Sequence, residues 1–303
     1  NNQNIKKLIL TLLIITSIPS FATDKVIDGG AGTDTVASTL INAGNGSMFK
    51  NFEVLGLGAN TLDAALLTGS AITSLELGAG GGNGTFSNVT TAQSLSVTGT
   101  AAAGTTTLTF SGVSGTADAY SIGFAGVGGA KVTTPVTVDA KVVSIAGIEA
   151  VSINSGAASG FTTNTISLTD AAARTLTITG AQATSVSFTG AFGTAGTTGL
   201  TSIDASATTG IVTLNTTNAG ISSTAGLTVT TGTGADVLTL ASAATISSGD
   251  GNDTITLGGA STVNAGLGDD TITTSANASA ITLGGGTDAV NVTLSVGAAN
   301  MTS

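Results

Sequence analysis

Residues 231–291 read TGTGADVLTLASAATISSGDGNDTITLGGASTVNAGLGDDTITTSANASAITLGGGTDAVN. One phrase, Gly-x-Gly-x-Asp followed by a short run centred on an apolar residue, occurs four times in this stretch. Its final residues are spaced 17, 17 and 18 residues apart and are Asp236, Asp253, Asp270 and Asp288. Its glycine pairs are Gly232 and Gly234, Gly249 and Gly251, Gly266 and Gly268, and Gly284 and Gly286. A period of this length predicts the stacked coils of a solenoid, with one phrase in each coil.

The chemistry of the phrase favours a bound calcium ion. Glycines allow the backbone to adopt a positive φ and turn sharply, which we expect in each phrase and which presents carbonyl oxygens on the inside of the turn. The aspartate adds a carboxylate oxygen, and Ca²⁺ takes about six to eight oxygen ligands. Asp250 and Asp269 add further carboxylates to the same turns. Each phrase also predicts a short strand with one inward apolar side chain, which is Leu238, Ile255, Ile272 or Val290.

The acidic phrases occupy only alternate nine-residue units. The intervening units, residues 239–247, 257–264 and 274–282, contain no acidic residue. We therefore expect one column of calcium ions along one edge of the solenoid, while the other edge closes on Ala, Ser, Thr and Gly. The alternative is that Gly-Asn-Asp and Gly-Asp-Asp are ordinary turn signals.

Electrostatics supports a cation at this edge. Stacked strands lie about 4.8 Å apart, so neighbouring carboxylates would repel by about 1 kcal/mol in water and about 3 kcal/mol at an effective dielectric constant of about 20. The total stability of a domain is only about 5–15 kcal/mol. We therefore expect the edge to be marginal or unfolded without a cation.

The composition excludes several function classes. The 303-residue chain has 44 glycines, 8% charged residues and a net charge of −10, whereas globular domains carry about 25% charged residues. Regular Val, Ile and Leu among small residues favour thin stacked strands. The acidic balance disfavours nucleic-acid binding, which needs a basic patch. The sequence contains no Cys and no His, which rules out thiol chemistry and a Ser-His-Asp triad, and we expect no enzyme activity.

Residues 1–22 have the layout of a secretory signal peptide. Two lysines precede the apolar run 8–18, and cleavage is expected after Ala22. The run has 11 residues, against about 20 needed to span a bilayer. We therefore expect a secreted chain whose mature form has no transmembrane segment. Residues 29–37 then fit the glycine–aspartate pattern once more, with Asp34 as the acid, and are either a single ion site or a capping turn.

Residues 23–230 repeat a different phrase. Short alternating runs such as Leu95-Ser96-Val97 and Leu176-Thr177-Ile178 recur without a helical pattern between them, which predicts stacked short strands. Glu53 and Glu149 lie in matching phrases, FEVLGL and GIEAVSI. They are candidate ligands or catalytic acids, but we favour the alternative that they satisfy backbone N–H groups in turns.

The segments FEVLGLGANTLDAALLTGSAITSLEL, VSIAGIEAVSINS, LTSIDASATTGIVTLN and GLTVTTGTGADVLTL resemble the RTX-containing, β-strand-repeat surface-layer proteins of Gram-negative bacteria, of the Caulobacter and Campylobacter type. The resemblance covers roughly residues 25–303, and GGxGxDxUx is the calcium-binding repeat of RTX rolls. It implies an all-β protein: a parallel β-solenoid over residues 23–230, followed by an RTX calcium β-roll over residues 231–303. It also implies calcium ligands among the turn residues named above, including Asp34.

Three functions remain open from the sequence. The first is a calcium-dependent structural protein on the cell surface that assembles laterally with copies of itself in a surface layer, with cell-surface polysaccharide or lipopolysaccharide as a further partner. The second is an extracellular adhesin or binding module, with a partner face in residues 111–130 around Tyr120 and Phe124, although these aromatics are better explained as core. The third is a β-helix polysaccharide lyase, for which Arg174 stands without a supporting cluster.

Overall fold

A computed structural model of the chain describes residues 25–124, 137–157, 163–274 and 279–293. The predicted signal peptide, residues 1–22, lies outside the described residues. Successive strands enter two long parallel sheets in turn, so each coil contributes one strand to each sheet. The predicted all-β parallel solenoid is therefore confirmed.

The strands are numbered in chain order. Within the described residues, the 12-stranded sheet consists of β2 (Thr35–Ala37), β4 (Val54–Gly56), β6 (Ser74–Leu77), β8 (Ser94–Val97), β10 (Ala119–Gly123), β12 (Ala150–Asn154), β14 (Thr175–Gly180), β16 (Ser202–Thr208), β18 (Thr228–Thr230), β20 (Thr245–Ser247), β22 (Thr262–Asn264) and β24 (Ala280–Thr282). The 11-stranded sheet consists of β5 (Thr61–Asp63), β7 (Thr85–Val89), β9 (Thr105–Phe110), β11 (Val138–Ser144), β13 (Asn164–Asp170), β15 (Thr184–Phe192), β17 (Val212–Asn215), β19 (Val237–Leu240), β21 (Thr254–Leu257), β23 (Thr271–Thr274) and β25 (Ala289–Val292).

The remaining elements lie in the first coils. The short strands β1 (Ile27–Asp28) and β3 (Phe49–Lys50) pair with each other. Three single-turn 3₁₀ helices span Ser38–Leu40, Gly46–Met48 and Ala64–Leu66. Among the described residues, no helix has the length and apolar character needed to cross a membrane.

The predicted period is the coil length of the C-terminal part. Register partners Val237, Thr254 and Thr271 are 17 residues apart along the 11-stranded sheet. Both sheets continue through the predicted boundary at residue 230, because β18 pairs with β16 and β20, and β19 pairs with β17 and β21. The two predicted regions therefore share one continuous stack of strands.

The core lies between the two sheets and is built from the middle residues of most short strands; the prediction that Val290 points inward is wrong, because β25 is the last described strand of its sheet and Val290 is 39% exposed. Leu238, Ile255 and Ile272 stack in register and are each 0% exposed. Alternation along a strand sends neighbouring side chains to the outer face. Small and β-branched uncharged residues, such as Thr254 and Thr271, fill those outer positions. This accounts for the low content of charged residues in the chain.

Tyr120 and Phe124 belong to this core. They are 1% and 6% exposed, and the ring of Tyr120 packs edge-on against Phe110 with centroids 4.7 Å apart. The Tyr120 hydroxyl donates to the carbonyl of Gln93 at 2.8 Å. The alternative that these two aromatics form a partner-binding face is therefore wrong, because their side chains are enclosed between the sheets. Residues 125–130 of that segment lie outside the described residues.

Candidate metal-binding edge

The four Gly-x-Gly-x-Asp turns stack on one edge of the solenoid. Each turn leads from the 12-stranded sheet into the 11-stranded sheet, so all four lie on the same side of the molecule. We call this the aspartate edge and define it as residues 231–236, 248–253, 265–270 and 283–288. The fold therefore stacks the four phrases, as their near-constant spacing predicts.

The glycines of the last three turns have the conformation that the pattern predicts. Gly249, Gly251, Gly266, Gly268, Gly284 and Gly286 have φ between 90° and 144°, a range that residues with a side chain rarely adopt. Each turn also packs closely against the turn in the preceding coil. A Cβ atom at Gly268 would collide with the carbonyl oxygen of Gly251, and one at Gly286 would collide with that of Gly268.

The first turn departs from the expected conformation. Gly232 and Gly234 do not have a positive φ, so the expectation of a left-handed turn is wrong for this phrase. The turn stacks on residues 208–212, which contain no Gly-x-Gly-x-Asp phrase. Glycine is required there because the two turns lie close together, and a Cβ atom at Gly232 would collide with the backbone carbonyl oxygen of Thr208.

The final aspartates of the phrases point inward and form a ladder. Asp236, Asp253 and Asp270 are 0%, 1% and 1% exposed. One carboxylate oxygen, Oδ1, accepts the backbone N–H of the register partner one coil earlier. The donor–acceptor pairs are Val212 to Asp236, Asp236 to Asp253, Asp253 to Asp270, and Asp270 to Asp288, at 2.7–3.0 Å. The aspartates are therefore more than generic turn residues, because each one ties two coils together.

The second carboxylate oxygen of three aspartates has no such partner. Oδ2 of Asp236, Asp253 and Asp270 is buried and accepts no hydrogen bond of normal geometry, although the Thr231 hydroxyl and Gly232 N–H approach the Asp236 carboxylate and the Ser248 hydroxyl approaches that of Asp253. Burial raises the pKa of Asp236 and Asp270 above their usual range. Burial also raises the pKa of Asp253 to about 6, and the neighbouring carboxylates of Asp236 and Asp270 add to the effect. An ionised row of this kind is unfavourable unless a positive charge compensates it.

Two hydroxyl groups lie beside the aspartates but are committed elsewhere. Thr231 and Ser248 are adjacent to Asp236 and Asp253. Their hydroxyls donate instead to the carbonyls of Ser248 and Ala265 in the following coil, at 2.8 and 2.9 Å. In the first two phrases the residue before the first glycine, Thr231 or Ser248, therefore ties its coil to the next one, a role that sequence reasoning missed; Ala265 and Leu283 hold the same position in the later phrases and have no hydroxyl. The recurrence of a small hydroxyl residue at that position in two successive repeats was the available signal.

The glycine carbonyls divide into two columns. The carbonyls of Gly232, Gly249 and Gly266 accept backbone N–H groups from the next coil, namely those of Asp250, Leu267 and Gly285, at 2.9–3.1 Å. The carbonyls of Gly234, Gly251 and Gly268 receive no such hydrogen bond from the described residues. This second column lies two residues before the inward aspartates and supplies further free oxygens to the edge.

Asp250 and Asp269 are placed differently from the inward aspartates. Both side chains are exposed on the outer side of the turn. The carboxylate of Asp269 accepts the N–H of Thr287 at 2.7 Å, and the Asn252 side chain accepts the N–H of Asp269 at 2.9 Å. The fold therefore separates an outer polar ladder from the inner one. Asp288 is half-buried at the end of the inner ladder.

Asp34 lies on the opposite edge of the solenoid, because its turn leads into β2 of the 12-stranded sheet. Gly30 and Gly32 have φ of 89° and 122°, as in the later turns. The N–H of Asp34 donates to Oε2 of Glu53 at 3.0 Å, and Oδ2 of Asp34 is buried without a partner. Asp34 is thus an isolated turn of the same kind and does not extend the aspartate edge.

The preferred interpretation of the two glutamates is confirmed. Glu53 accepts the N–H of Asp34, and Glu149 accepts that of Asp118 at 2.9 Å. The same edge closes on small residues in the C-terminal coils, as predicted. There the Ser261 hydroxyl accepts the N–H of Ala244 at 3.1 Å.

The oxygen atoms of the aspartate edge fit a row of cations rather than one cation held by a single cluster of acidic side chains. Within the described ranges, no three acidic side chains converge on one point. Successive coils instead offer one unpartnered carboxylate oxygen each, beside glycine carbonyls. Hard cations such as Ca²⁺ prefer this mixture of carboxylate and carbonyl oxygens. No protein-family model matches the chain, and a comparison with curated proteins finds no relative.

Proposed function

We propose that the aspartate edge binds calcium and that the chain is a calcium-dependent structural protein of the bacterial cell surface. The observation that carries the calcium proposal is the row of buried, unpartnered Oδ2 atoms on Asp236, Asp253 and Asp270. Buried polar atoms in folded proteins almost always have a partner. The three unpartnered oxygen atoms occupy equivalent positions in successive coils, so one explanation should cover all of them. A column of bound cations supplies that explanation.

The residues that would hold the ions are the inward aspartates and the second glycine of each turn. Bound Ca²⁺ would supply the positive charge that a row of buried carboxylates requires. Asp236, Asp253 and Asp270 would each contribute Oδ2 while Oδ1 keeps its hydrogen bond to the preceding coil. The carbonyls of Gly234, Gly251 and Gly268 are the other candidate ligands. Asp250 and Asp269 would then act on the solvent side of the ions.

The surface-layer part of the proposal rests on the rod-like fold together with the resemblance described above. Each coil presents two outer faces of short, mostly uncharged side chains, and such faces suit lateral packing between copies. The absence of His and Cys from the sequence favours a structural over a catalytic role. On this proposal the chain is secreted, assembles with itself, and contacts polysaccharide or lipopolysaccharide on the cell surface.

A calcium titration followed by circular dichroism tests the calcium proposal. The chain is first stripped with a chelator and then titrated with CaCl₂, with MgCl₂ as the matched control. We expect a cooperative gain of β signal with calcium and little with magnesium, since Mg²⁺ demands a stricter geometry and holds its waters more tightly. A full β signal in chelator that calcium does not change, and no calcium-dependent rise in stability, would contradict the proposal.

Electron microscopy of the calcium-loaded chain tests the assembly. Ordered two-dimensional sheets that dissolve in chelator are the expected result. Particles that remain single at all protein concentrations, in calcium and with full β signal, would overturn lateral assembly while leaving the calcium edge intact.

A further inference from the structure

A cleft of about 380 Å³ opens on the outer face of the 11-stranded sheet, away from the aspartate edge. Three neighbouring strands, β9, β11 and β13, form its floor. Its surface is mostly apolar, and its polar groups belong to Thr105, Asp139, Lys141, Thr165 and Ser167. The volume lies at the small end of the range for small-molecule sites, about 300–1,000 Å³.

A β-bulge creates the cleft. Val142 of β11 pairs with Thr105 of β9 and Ser167 of β13, whereas Asp139 pairs with Thr165. The register shifts between Asp139 and Val142, and the extra residue, Lys141, has a φ of 59°. Left-handed residues other than glycine are costly and persist where the surroundings hold them, often next to functional sites.

The shape follows from unequal strand lengths. Since β9 begins at Thr105, β11 extends four residues further toward its own N-terminus than its pairing with β9. Ala103, with a small side chain, and Gly104, with none, lie at that point and leave the space open. The cleft is therefore built from a step in the sheet.

The charged pair in the cleft is held in place. Oδ2 of Asp139 contacts the Lys141 ammonium at 2.7 Å, and their side chains are 25% and 35% exposed. Oδ1 of Asp139 accepts the backbone N–H of Lys141 at 2.8 Å. The Asp139 backbone is tied to the preceding coil, because its carbonyl accepts the N–H of Ala101 at 2.8 Å.

The lining selects a ligand class by charge and by hydrogen-bonding capacity. Asp139 and Lys141 offset each other's charge, so the cleft has no net charge that would favour an ionic ligand. Asp139 only accepts and Lys141 only donates, while the hydroxyls of Thr105, Thr165 and Ser167 can do either. Neighbouring hydroxyl groups on a sugar ring both donate and accept, so they match this arrangement.

We propose that the cleft between β9, β11 and β13 binds a neutral sugar unit through Asp139 and Lys141. No cleft residue belongs to the aspartate edge, so the binding of a free sugar is independent of the calcium proposal. The further suggestion that the cleft contacts a cell-surface polysaccharide rests on the proposed location of the chain at the cell surface.

Saturation-transfer difference NMR of the full chain with free monosaccharides tests the cleft. The neutral probes are galactose, glucose and mannose, and the charged probes are galacturonate and glucosamine. All spectra are recorded in saturating calcium on protein whose β signal has been checked. We expect transfer to at least one neutral hexose, and weaker transfer to both charged probes. No transfer to any neutral hexose, or stronger binding of a charged probe, would overturn the proposal.

Variants locate the binding. Lys141→Asn removes the charge but keeps a residue that tolerates a positive φ, and Thr165→Val removes a hydroxyl at an outward strand position with little change of shape. Lys50→Gln, a lysine on β3, is the control. We expect Lys141→Asn to weaken sugar binding about tenfold or more, as for loss of a charge-assisted hydrogen bond. Thr165→Val should weaken it less, and Lys50→Gln not at all. Equal binding by the two cleft variants and the wild type would contradict the assignment.

Discussion

Oδ1 of Asp236 accepts the backbone N–H of Val212 at 2.7 Å, although the two residues are 24 positions apart in the chain. Val212 begins β17, within the region that the sequence assigns to strand repeats. Asp236 is the first inward aspartate of the calcium-type phrases. This hydrogen bond therefore joins the two regions. The folding of the aspartate edge depends on the coil that precedes it.

Asp236→Ala should destabilise the chain more than Asp288→Ala. The first change leaves the buried N–H of Val212 without an acceptor, and such a loss costs about 1–3 kcal/mol. Asp288 is half-buried at the end of the ladder, where water can replace it. Urea unfolding at a fixed calcium concentration gives both free energies of unfolding. Equal losses for the two variants would show that the bond to Val212 is not a structural tie.

Gly268→Ala should destabilise the chain by more than about 1 kcal/mol, because a side chain at positive φ costs about 1–2 kcal/mol before any collision. Gly268 has a φ of 133°, and an added Cβ would strike the carbonyl of Gly251.

Gly123→Ala is the matched control, since an added Cβ there meets no atom within 4 Å. We expect this control to change the melting temperature little. Similar melting temperatures for both variants would contradict the close packing of successive turns.

Asp170→Asn should change the pH dependence of stability. Burial raises the pKa of Asp170 to about 6 from an ordinary value of 3.8, with a smaller contribution from Glu149. The folded state therefore holds a proton that the unfolded state releases near pH 4. Stability linked to this group is present at low pH and is lost as the pH rises from about 4 through about 6.

The comparison of wild type and Asp170→Asn at pH 4 and pH 7 isolates this contribution. The asparagine has no ionisable group, so the variant should gain stability relative to the wild type on going from pH 4 to pH 7. The measurement is urea unfolding at constant calcium. A difference between the two proteins that does not change with pH would contradict the raised pKa of Asp170.

Much of the fold followed from local pattern. A run such as Thr254-Ile255-Thr256 specifies a strand with one inward residue, and the 17-residue period specifies which strands stack. The inward aspartates could be named because Asp253 and Asp270 occupy identical places in that period.

The rest depends on pairs of residues whose separation varies. The matching phrases around Glu53 and Glu149 predicted their role as backbone N–H acceptors but not their donors, because Asp34 and Glu53 are 19 residues apart whereas Asp118 and Glu149 are 31 apart. The bulge at Lys141 depends in the same way on how three strands of different length align. The conformation of Gly232 is set by the turn beneath it, which the repeat pattern does not describe.

The most direct test of the calcium edge compares two double variants of the same turns by isothermal titration calorimetry with CaCl₂. Asp253→Ala/Asp270→Ala removes two inward carboxylates, and Asp250→Ala/Asp269→Ala removes two outward ones, together with the exposed hydrogen bond from the Thr287 N–H to Asp269. Our account predicts that the inward variant binds fewer calcium ions than the wild type and that the outward variant binds the same number with modestly reduced affinity. Unchanged calcium binding by the inward variant, or no calcium binding by the wild type, would contradict it.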